Sequence, residues 1–444
     1  MVGLARSGQA AALALRRLDP ASPVSACDSA DGPELALAAE RLREAGVEVF
    51  LNTDGVAALS SQPEPPKTVV KSPGVPAEAR VVVEARGRGL EIIGELELGW
   101  RMVPTEFLAV TGTNGKTTTA EMIGAINRAA GLPVAVAGNV GTPLSSLAGT
   151  VDPPTVVVCE ASSFQLEDSA SFAPEVAVFL NFSDDHLDRH HGREQYLAAK
   201  LRLFTNQERS DFAVLNADDP TIAASSIPGG ARRIWFGSAT NCELICTDDE
   251  LRWRGEPVMR TDDLALRGPH NLENAMAAAA ATLARGVDRD AVATALATFE
   301  AVEHRLEYVA TVGGVEYFND SKATNVSATA AALRSFETPV HAILGGSLKG
   351  GGFDRLAAAV GDRCAACYLI GEAADRLAKD LAPSGVDLRQ CGDLAHAVEQ
   401  ASERAVEGEV VLLAPACSSF DQYDSYERRG EHFRELVAAL GKSR

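Results

Sequence analysis

Short runs of β-branched or apolar residues alternate along the chain with Ala-, Leu-, Arg- and Glu-rich segments of helical period. This alternation is typical of repeated β-α units, in which helices cover parallel sheets. A chain of 444 residues corresponds to about three domains at roughly 150 residues per domain. The sequence therefore predicts an α/β fold with three domains, each large enough to bury a core of its own.

The boundaries of the three domains follow from breaks in the alternation. A polar, Pro-rich loop at 60–66 interrupts the first domain (residues 1–103), and Pro104 precedes a new strand at 107–111. The second domain (104–301) includes an Ala-rich helix at 271–284. The third domain (302–444) has predicted strands at 315–318, 340–344, 367–370 and 410–413 and a final amphipathic helix at 426–440.

Composition and charge exclude several classes of protein. Hydrophobic residues make up 46% and charged residues 23% of the chain, as in ordinary globular proteins. The 41 Lys and Arg against 61 Asp and Glu give a net charge of −20, which disfavours nucleic acid and anionic membranes as partners. No apolar run approaches the ~20 residues of a membrane-spanning helix, and the first residues lack the apolar core of a signal peptide. A cytoplasmic, monomeric protein is expected.

The eight cysteines are too sparse in this long chain to form a disulfide scaffold. Most lie in apolar, strand-like runs, as Cys159 and Cys417 do. Cys364 and Cys367 form a C-x-x-C pair, but no second pair follows at zinc-ribbon spacing. We therefore expect reduced cysteines that are buried for structural reasons.

A glycine-rich loop follows directly on the predicted strand at 107–111 and opens a predicted helix. It consists of Gly112, Thr113, Asn114, Gly115, Lys116, Thr117 and Thr118. Strand, loop and helix together predict a phosphate cradle, because backbone N–H groups and the helix N-terminus converge on phosphate oxygens. Lys116 can reach the terminal phosphates and Thr117 can ligate Mg²⁺. The usual first glycine of this motif would fall at Val110, so the match is to a shorter G-T-N-G-K-T variant.

The apolar run at 156–160 ends in an acid and is the expected partner strand of this loop. Mg²⁺ prefers one or two carboxylates together with phosphate oxygens and water, which makes Glu160 the candidate ligand. These residues leave two reaction classes open: a nucleotide switch or kinase, and a ligase. A guanine-specific switch normally shows Asn-Lys-x-Asp, and the nearest segment, 216–219, lacks the lysine, which weakens the first class.

Several motifs, in the same order along nearly the whole chain, resemble those of the Mur ligase family. Besides the glycine loop they are Glu160-Ala-Ser-Ser-Phe-Gln-Leu-Glu167, Asp184-Asp-His-Leu-Asp188, Tyr196-Leu-Ala-Ala-Lys200, Gly268-Pro-His-Asn-Leu-Glu-Asn274, His304-Arg-Leu-Glu307 and Asn319-Asp-Ser-Lys-Ala-Thr-Asn325. The segments 344–349 and 414–423 are most similar to those of the members that add D-glutamate to UDP-N-acetylmuramoyl-L-alanine. The Asp-Asn-Pro-Arg-type motif of diaminopimelate- or lysine-adding members is not found.

The resemblance implies a three-domain ligase. Its N-terminal Rossmann-like domain would bind the uridine nucleotide, its central P-loop ATPase-like domain ATP, and its C-terminal Rossmann-like parallel sheet the amino acid. The implied substrates are ATP, D-glutamate and UDP-N-acetylmuramoyl-L-alanine, with two Mg²⁺ ions. The ATP γ-phosphoryl group would activate the alanyl carboxylate as an acyl phosphate, which the amine of D-glutamate attacks in peptidoglycan precursor synthesis.

The resemblance also implies roles for individual residues around ATP. Lys116 would stabilise the transferring phosphoryl group, and Thr117 and Glu160 would hold the first Mg²⁺. His186 and Lys200 would serve the second metal and the substrate. Lys200 is implied to be carbamylated, whereas its amphipathic segment alone predicts a solvated lysine. The ATP site would be completed by Asn271, Asn274, Arg305, Asp320 and Lys322.

Two further sets of residues are implied for the other substrates. D-glutamate would contact Thr324, Lys349, Ser419, Phe420 and Tyr426, with Lys349 as the natural partner of a carboxylate. The uridine nucleotide would bind the first domain, where Gly3–Gly8 resembles a Gly-x-Gly-x-x-Gly turn in which Ala5 replaces the middle glycine. The residues of this set are Ala5, Arg6, Asp28, Ser72 and Asn139.

Only Met1 and Val2 precede this glycine turn, although a Rossmann turn needs a strand before it. We expect either a native start upstream or a first domain without its first strand, and favour the former because loss of a central strand exposes sheet edges. His190 and His191 have no role in these motifs and are predicted to lie on the surface of a loop.

Two alternatives to this function stay open. One is another amide ligase of the same superfamily, with folate or a different muramoyl peptide as acceptor. The other is a nucleotide-binding regulator that kept the fold without turnover. The presence of Lys116, Glu160, His186, Lys200 and Lys322 argues against the regulator.

Overall fold

A computed structural model describes nearly the whole chain. The described residues are 1–61, 66–139, 141–185, 187–190, 192–266, 268–300, 303–348 and 352–443. The chain divides into two compact units. Unit 1 comprises Met1–Phe182, Arg189–Asp263 and Asn274–Ala297, and unit 2 comprises Ser183–Asp188, Leu264–Glu273 and Thr298–Arg444. No helix among the described residues is long and apolar enough to cross a membrane.

The first part of unit 1 contains two pairs of parallel strands with helices between them. Its elements are α1 (Arg6–Leu18), β1 (Ser25–Cys27), α2 (Pro33–Glu44), β2 (Glu48–Phe50), β3 (Thr68–Lys71), α3 (Arg80–Gly87), β4 (Glu91–Gly94) and α4 (Glu95–Met102). β1 pairs with β2, and β3 pairs with β4. Val2 lies between the two pairs, with parallel bridges to Cys27 and Lys71. A single bridged residue therefore occupies the place of the strand that precedes the glycine turn.

The rest of unit 1 is built on one large sheet. The elements of this middle part of the chain are β5 (Phe107–Thr111), α5 (Lys116–Ala129), β6 (Val134–Gly138), β7 (Val156–Glu160), α6 (Ser163–Glu167), β8 (Val176–Phe179), α7 (Leu187–His190), α8 (Arg193–Leu201), β9 (Phe212–Asn216), α9 (Pro220–Ala224), β10 (Arg232–Gly237), β11 (Leu244–Thr247), β12 (Glu250–Trp253), β13 (Glu256–Arg260), α10 (Pro269–Ala284) and α11 (Arg289–Ala297). The strand order is β13-β12-β11-β10-β9-β8-β5-β7-β6; β12 pairs antiparallel with both β11 and β13, and all other neighbours pair parallel. The strands predicted at 107–111 and 156–160 are confirmed as the neighbours β5 and β7, and every residue of both is buried.

Unit 2 contains a second sheet with the order β14-β15-β19-β16-β17-β18, in which only the edge strand β14 is antiparallel. Its elements are β14 (Glu307–Val312), β15 (Val315–Asn319), α12 (Val326–Arg334), β16 (Val340–Gly345), α13 (Ala357–Arg363), β17 (Cys364–Ile370), α14 (Ala374–Leu381), β18 (Asp387–Gly392), α15 (Leu394–Arg404), β19 (Val410–Leu413) and α16 (Tyr426–Ser443). The four predicted strands and the final helix are confirmed. The sequence missed β14 and β18, because edge strands are partly solvated and lack a continuous apolar run.

In unit 1 the buried carboxylate of Glu97 joins α4 to the loop before β8. It accepts hydrogen bonds from the N–H groups of Ala170, Ser171 and Phe172 at 3.0, 3.1 and 2.9 Å, and one from the Ser171 hydroxyl. Arg101 Nε adds a charged donor at 2.8 Å. Burial raises the pKa of Glu97, but these donors outweigh burial and hold the pKa below its ordinary value.

Replacement of Glu97 by glutamine is expected to destabilise unit 1 by about 2 kcal/mol at neutral pH, because a neutral amide accepts fewer of these hydrogen bonds. A carboxylate of lowered pKa stabilises the fold above its unfolded pKa, and this contribution is lost as the pH falls through the folded pKa. The difference between wild type and variant in urea-unfolding midpoint should therefore shrink below about pH 4. The matched control is Glu91→Gln, which removes the exposed carboxylate partner of Arg101 and should shift the midpoint little. Equal shifts for both variants would contradict this role of Glu97.

Candidate active site

The glycine loop connects β5 to the first turn of α5, at the carboxyl end of a strand inside the large sheet. Gly115 has a φ of +80°, and a Cβ there would lie 2.2 Å from Asn274 Oδ1, so the turn requires glycine. Asn181, after β8, accepts hydrogen bonds from the N–H groups of Thr113 and Asn114 at 3.1 and 2.9 Å. The loop is thereby held at the N-terminus of a helix of 14 residues, a favourable place for an anion.

Two lysines meet at the carbonyl oxygen of Gly112. Lys116 Nζ donates to this oxygen at 3.0 Å and to the carbonyl of Thr113 at 2.9 Å, while Lys200 Nζ donates to Gly112 at 2.6 Å. Lys200 is only 1% exposed and lies over the ring of Tyr196, at 4.5 Å from the centroid. The solvated lysine that the amphipathic segment alone predicts is therefore wrong. Both side chains therefore lie at the loop where a phosphate would bind.

Thr117 and Glu160 meet because β7 lies beside β5 in the sheet, with Glu160 in register with Val110. Thr117 Oγ1 donates to Glu160 Oε2 at 2.6 Å, and Asn139 Nδ2 donates to Glu160 Oε1 at 3.0 Å. Glu160 is 4% exposed. A carboxylate and a hydroxyl beside a phosphate cradle are the hard oxygen donors that suit Mg²⁺, so this donor set fits the ion. Asn139, predicted to contact the uridine nucleotide, lies on the Glu160 side of the glycine loop.

The segments predicted to bind the uridine nucleotide come together around the start of α1. Asp28, just after β1, accepts a hydrogen bond from the Leu4 N–H at 2.7 Å. Ser72, just after β3, lies 2.9 Å from Ser7, hydroxyl to hydroxyl. Ala5 and Arg6 are exposed at the opening turn of the helix. The carboxyl ends of parallel strands are the usual place for a nucleotide in such sheets, and these residues share that edge.

In unit 2, Arg305, Asp320 and Lys322 form one charged group. Asp320 is 7% exposed; burial raises its pKa to about 6, against the opposing charges of Arg305 and Lys322. Lys322 Nζ lies 5.4 Å from the ring centroid of Tyr426. Burial, together with Arg305, lowers the pKa of His270 to about 4, so this histidine is neutral at pH 7.

The remaining predicted residues differ in accessibility. Asn271 and Asn274 are both buried on α10, and Thr324 is half-buried. Ser419 is buried, whereas Phe420 is 73% exposed. Two predicted residues, Lys349 and His186, lie outside the described residues.

Arg429 is a residue of unit 2 that the sequence reasoning missed. It is 1% exposed and donates to the hydroxyl of Ser321 at 3.0 Å and to the carbonyls of Ser321 and Cys417 at 2.9 and 3.1 Å. Burial lowers its pKa to about 10. The signal was present, because Arg429 is spaced by four residues from Phe433 and by eight from Val437, and the three share the buried face of α16.

The prediction that His190 lies on the surface is wrong. The residue is 2% exposed, because it ends α7 and its side chain packs against residues of α6. Its Nε2 lies 2.8 Å from Ser163 Oγ and its Nδ1 2.8 Å from Glu167 Oε1, and its ring stacks on Phe164. His191 lies outside the described residues.

Two segments of the chain match described protein domains. Residues 110–282 match the Mur ligase middle domain, and residues 304–417 match the Mur ligase, glutamate ligase domain. A protein from Koribacter versatilis (strain Ellin345), named UDP-N-acetylmuramoylalanine–D-glutamate ligase, is 41% identical over 448 residues, which cover 100% of this chain and 97% of that protein. A protein of the same name from Acidobacterium capsulatum is 41% identical over 447 residues, which cover 99% and 95%.

Solved structures share the fold at low identity. The UDP-N-acetylmuramate-alanine ligase from Thermotoga maritima gives a TM-score of 0.60 at 19% identity and covers 99% of this chain and 98% of its own. A MurF ligase from the same organism, solved in complex with ADP, gives a TM-score of 0.62 at 16% identity and covers 96% of each chain. At these identities the likeness concerns the fold alone.

Proposed function

The chain belongs to the Mur ligase family, and we propose that it is the ATP-dependent ligase that joins D-glutamate to UDP-N-acetylmuramoyl-L-alanine. ADP and phosphate are the other products, and the peptide product serves peptidoglycan precursor synthesis. The observation that carries this proposal is the convergence of Lys116, Lys200, Thr117 and Glu160 around one glycine loop. The choice of substrates is supported by the names of the full-length relatives.

The chemistry requires that a poor electrophile be activated. Transfer of the ATP γ-phosphoryl group makes the alanyl carboxylate an acyl phosphate, which the amine of D-glutamate attacks through a tetrahedral intermediate. Placement of the reactants and neutralisation of phosphate charge then supply most of the catalysis. The amides of 112–115 and Lys116 Nζ would bind the terminal phosphates. Lys116 reaches them by exchanging its hydrogen bonds to loop carbonyls for phosphate oxygens.

Thr117 and Glu160 would hold the first Mg²⁺. Their oxygens lie 2.6 Å apart, close enough to belong to one coordination shell. When bound, the ion offsets the negative charge of the phosphates during transfer. Asn139 keeps the carboxylate oriented through its other oxygen.

Lys200 would serve the second Mg²⁺ together with His186, as a carbamate. The neutral amine of Lys200 bonds to the carbon of CO₂ and releases a proton, which leaves an anionic oxygen ligand. This proposal is supported by the burial of the side chain and by its contact with the glycine loop, since an ordinary surface lysine is solvated and makes no such contact.

The other predicted residues take their roles from the resemblance. Asn271, Asn274, Arg305 and Lys322 would contact ATP, with Asp320 on the ribose. The D-glutamate set is Thr324, Lys349, Ser419, Phe420 and Tyr426, and the uridine nucleotide set is Ala5, Arg6, Asp28, Ser72 and Asn139. The same proposal includes three domains at 1–103, 104–301 and 302–444, and a cytoplasmic monomer without nucleic acid or membrane partners.

Phosphate release from ATP, measured with each candidate amino acid and each candidate acceptor, tests the function. We expect release only when D-glutamate and UDP-N-acetylmuramoyl-L-alanine are both present. Release with L-lysine but not with D-glutamate, or with a folate acceptor, would assign the chain to another amide ligase. No turnover with any pair would favour a nucleotide-binding regulator.

A further inference from the structure

The loops proposed to bind the amino acid leave the unit 2 sheet at one edge. β16, β17, β18 and β19 are parallel, so the segments that follow them all begin at the carboxyl edge. The segment after β16 leads to Lys349, and the segment after β19 contains Ser419 and Phe420. The spacing of these segments therefore decides the width of a site built from them.

Asp421 joins three of these segments, and none of the residue sets above includes it. It lies just after Phe420. Its Oδ1 accepts a hydrogen bond from the hydroxyl of Ser347, after β16, at 3.3 Å, and its Oδ2 accepts one from the N–H of Glu372, after β17, at 3.1 Å. Gly371 has a φ of +68°, and a Cβ there would lie 2.1 Å from Asp421 Oδ2, so the carboxylate is packed directly on the backbone of this segment.

Neighbouring contacts hold the same segments together. The Ser347 N–H donates to the Ser418 carbonyl at 2.9 Å, and Gln422 Nε2 donates to the carbonyl of Gly392, the last residue of β18, at 2.9 Å. Arg429 binds them from the interior, through the carbonyls of Gly345 and Ser418 at 3.4 and 3.3 Å. Asp421 is half-buried and restrains the segments from the outer side.

The charge of Asp421 argues against direct contact with the substrate. An aspartate carboxylate repels the two carboxylates of a glutamate, and both of its oxygens already accept hydrogen bonds from the protein. Its effect on the amino acid must therefore pass through the loops that it joins.

We propose that Asp421 is a positioning residue that fixes the distance between the segment after β16, at Ser347, and the Ser419–Phe420 pair, and thereby sets the affinity for D-glutamate. This inference rests on the proposed function, because it assumes that these loops bind the amino acid. Without the carboxylate, the segments at Ser347 and Glu372 lose the side-chain link between them, and only backbone contacts such as the hydrogen bond from Ala373 N–H to the Gly346 carbonyl, at 2.9 Å, still set their spacing. A misplacement of about 1 Å is enough to weaken a site assembled from separate loops.

Steady-state kinetics of full-length Asp421→Ala, with each of the three substrates varied in turn, test the proposal. The KM for D-glutamate should rise about tenfold or more while kcat stays within about threefold, the pattern expected when binding is lost and chemistry is kept. The KM for ATP and for the uridine nucleotide should not change, since the hydrogen bonds of Asp421 go to Ser347 and Glu372, which belong to neither of those two residue sets. Asp421→Asn should raise the KM for D-glutamate by an intermediate factor, because asparagine keeps one acceptor oxygen where aspartate has two.

The matched control is Asp424→Asn. Asp424 is exposed in the same loop, and this variant should behave as wild type.

Ser347→Ala is the second variant, and it decides the question if Asp421→Ala does not fold. It removes only the bond to Oδ1 and should raise the KM for D-glutamate by about threefold. An unchanged D-glutamate KM, or an equal rise in all three KM values, would overturn the proposal. Failure of the proposed function is seen separately, in wild type: if another amino acid supports turnover, the KM for that amino acid is the readout for the same variants.

Discussion

Lys200→Ala should lower kcat by about 10³-fold, the size of effect seen when one preorganised group at a reacting phosphoryl or acyl centre is removed. The side chain is buried beside the glycine loop, with its Nζ on the carbonyl of Gly112. Whether it acts as a cation or as a carbamate, it supplies charge where the phosphoryl group is transferred. Rates of phosphate release at saturating substrates measure the loss, and thermal unfolding checks that the variant is folded.

Chemical rescue of Lys200→Ala distinguishes the two charge states. The substitution leaves a space that a small molecule can enter. If Lys200 acts as a carbamate, formate or acetate should restore part of kcat and propylamine should not; if it acts as an ammonium group, the reverse is expected. Full activity of the unrescued variant would exclude a catalytic role. Glu160→Gln, which leaves no such space, should gain nothing from acetate and serves as the control.

Glu160→Gln should lower kcat by about 10²- to 10³-fold and raise the Mg²⁺ concentration needed for half-maximal rate. An amide is a far weaker ligand for Mg²⁺ than a carboxylate, but it has nearly the same size. Its oxygen can still accept the hydrogen bond from Asn139, and its NH₂ group can donate to the hydroxyl of Thr117 with the direction of that bond reversed. The fold should therefore survive while metal binding fails. Titration of the rate with Mg²⁺ at saturating ATP measures both effects.

The matched control for Glu160→Gln is Glu121→Gln on α5, the helix that begins at the glycine loop. Glu121 forms a surface ion pair with Arg128 at 4.0 Å, and its loss should leave kcat and the Mg²⁺ dependence as in wild type. An unchanged Mg²⁺ dependence of Glu160→Gln would place the metal on other residues. A loss of activity in both variants would point to a general effect on the fold of this unit.

Much of the nucleotide half of the candidate site could be predicted from the sequence. The run Phe107–Thr111, the glycines at 112 and 115, and the apolar period of α5 are local signals for strand, turn and helix, and the structure has these elements where predicted. The partner strand ending in Glu160 was predicted from its apolar run. The two strands are parallel neighbours in the sheet, so their carboxyl ends lie side by side. This explains why Thr117 and Glu160 meet although 43 residues separate them in the sequence.

Other members of the site gave weaker signals. The environment of His190 could not be predicted, because its own segment carries no signal for contact with α6. In the structure, Ser163 and Glu167 of α6 lie at hydrogen-bond distance from its ring. Asn181 stands after β8, and its role depends on that strand being the other neighbour of β5. Asp421 lies inside the segment 414–423 that the resemblance singled out, yet its partners Ser347 and Glu372 lie in the segments that follow two other strands.

The sequence by itself determined the α/β class, the position of the phosphate cradle, and the four strands and last helix predicted in the third domain. These depend on period, glycine conformation and helix termini, which act over a few neighbouring residues. The tertiary structure decided which distant side chains meet: the burial of Lys200, the contacts of Arg429 and the loops that Asp421 joins. Burial and hydrogen bonding of a charged side chain depend on the elements that pack around it. The order of strands in a sheet, which decides those neighbours, cannot be deduced from the sequence of any single strand.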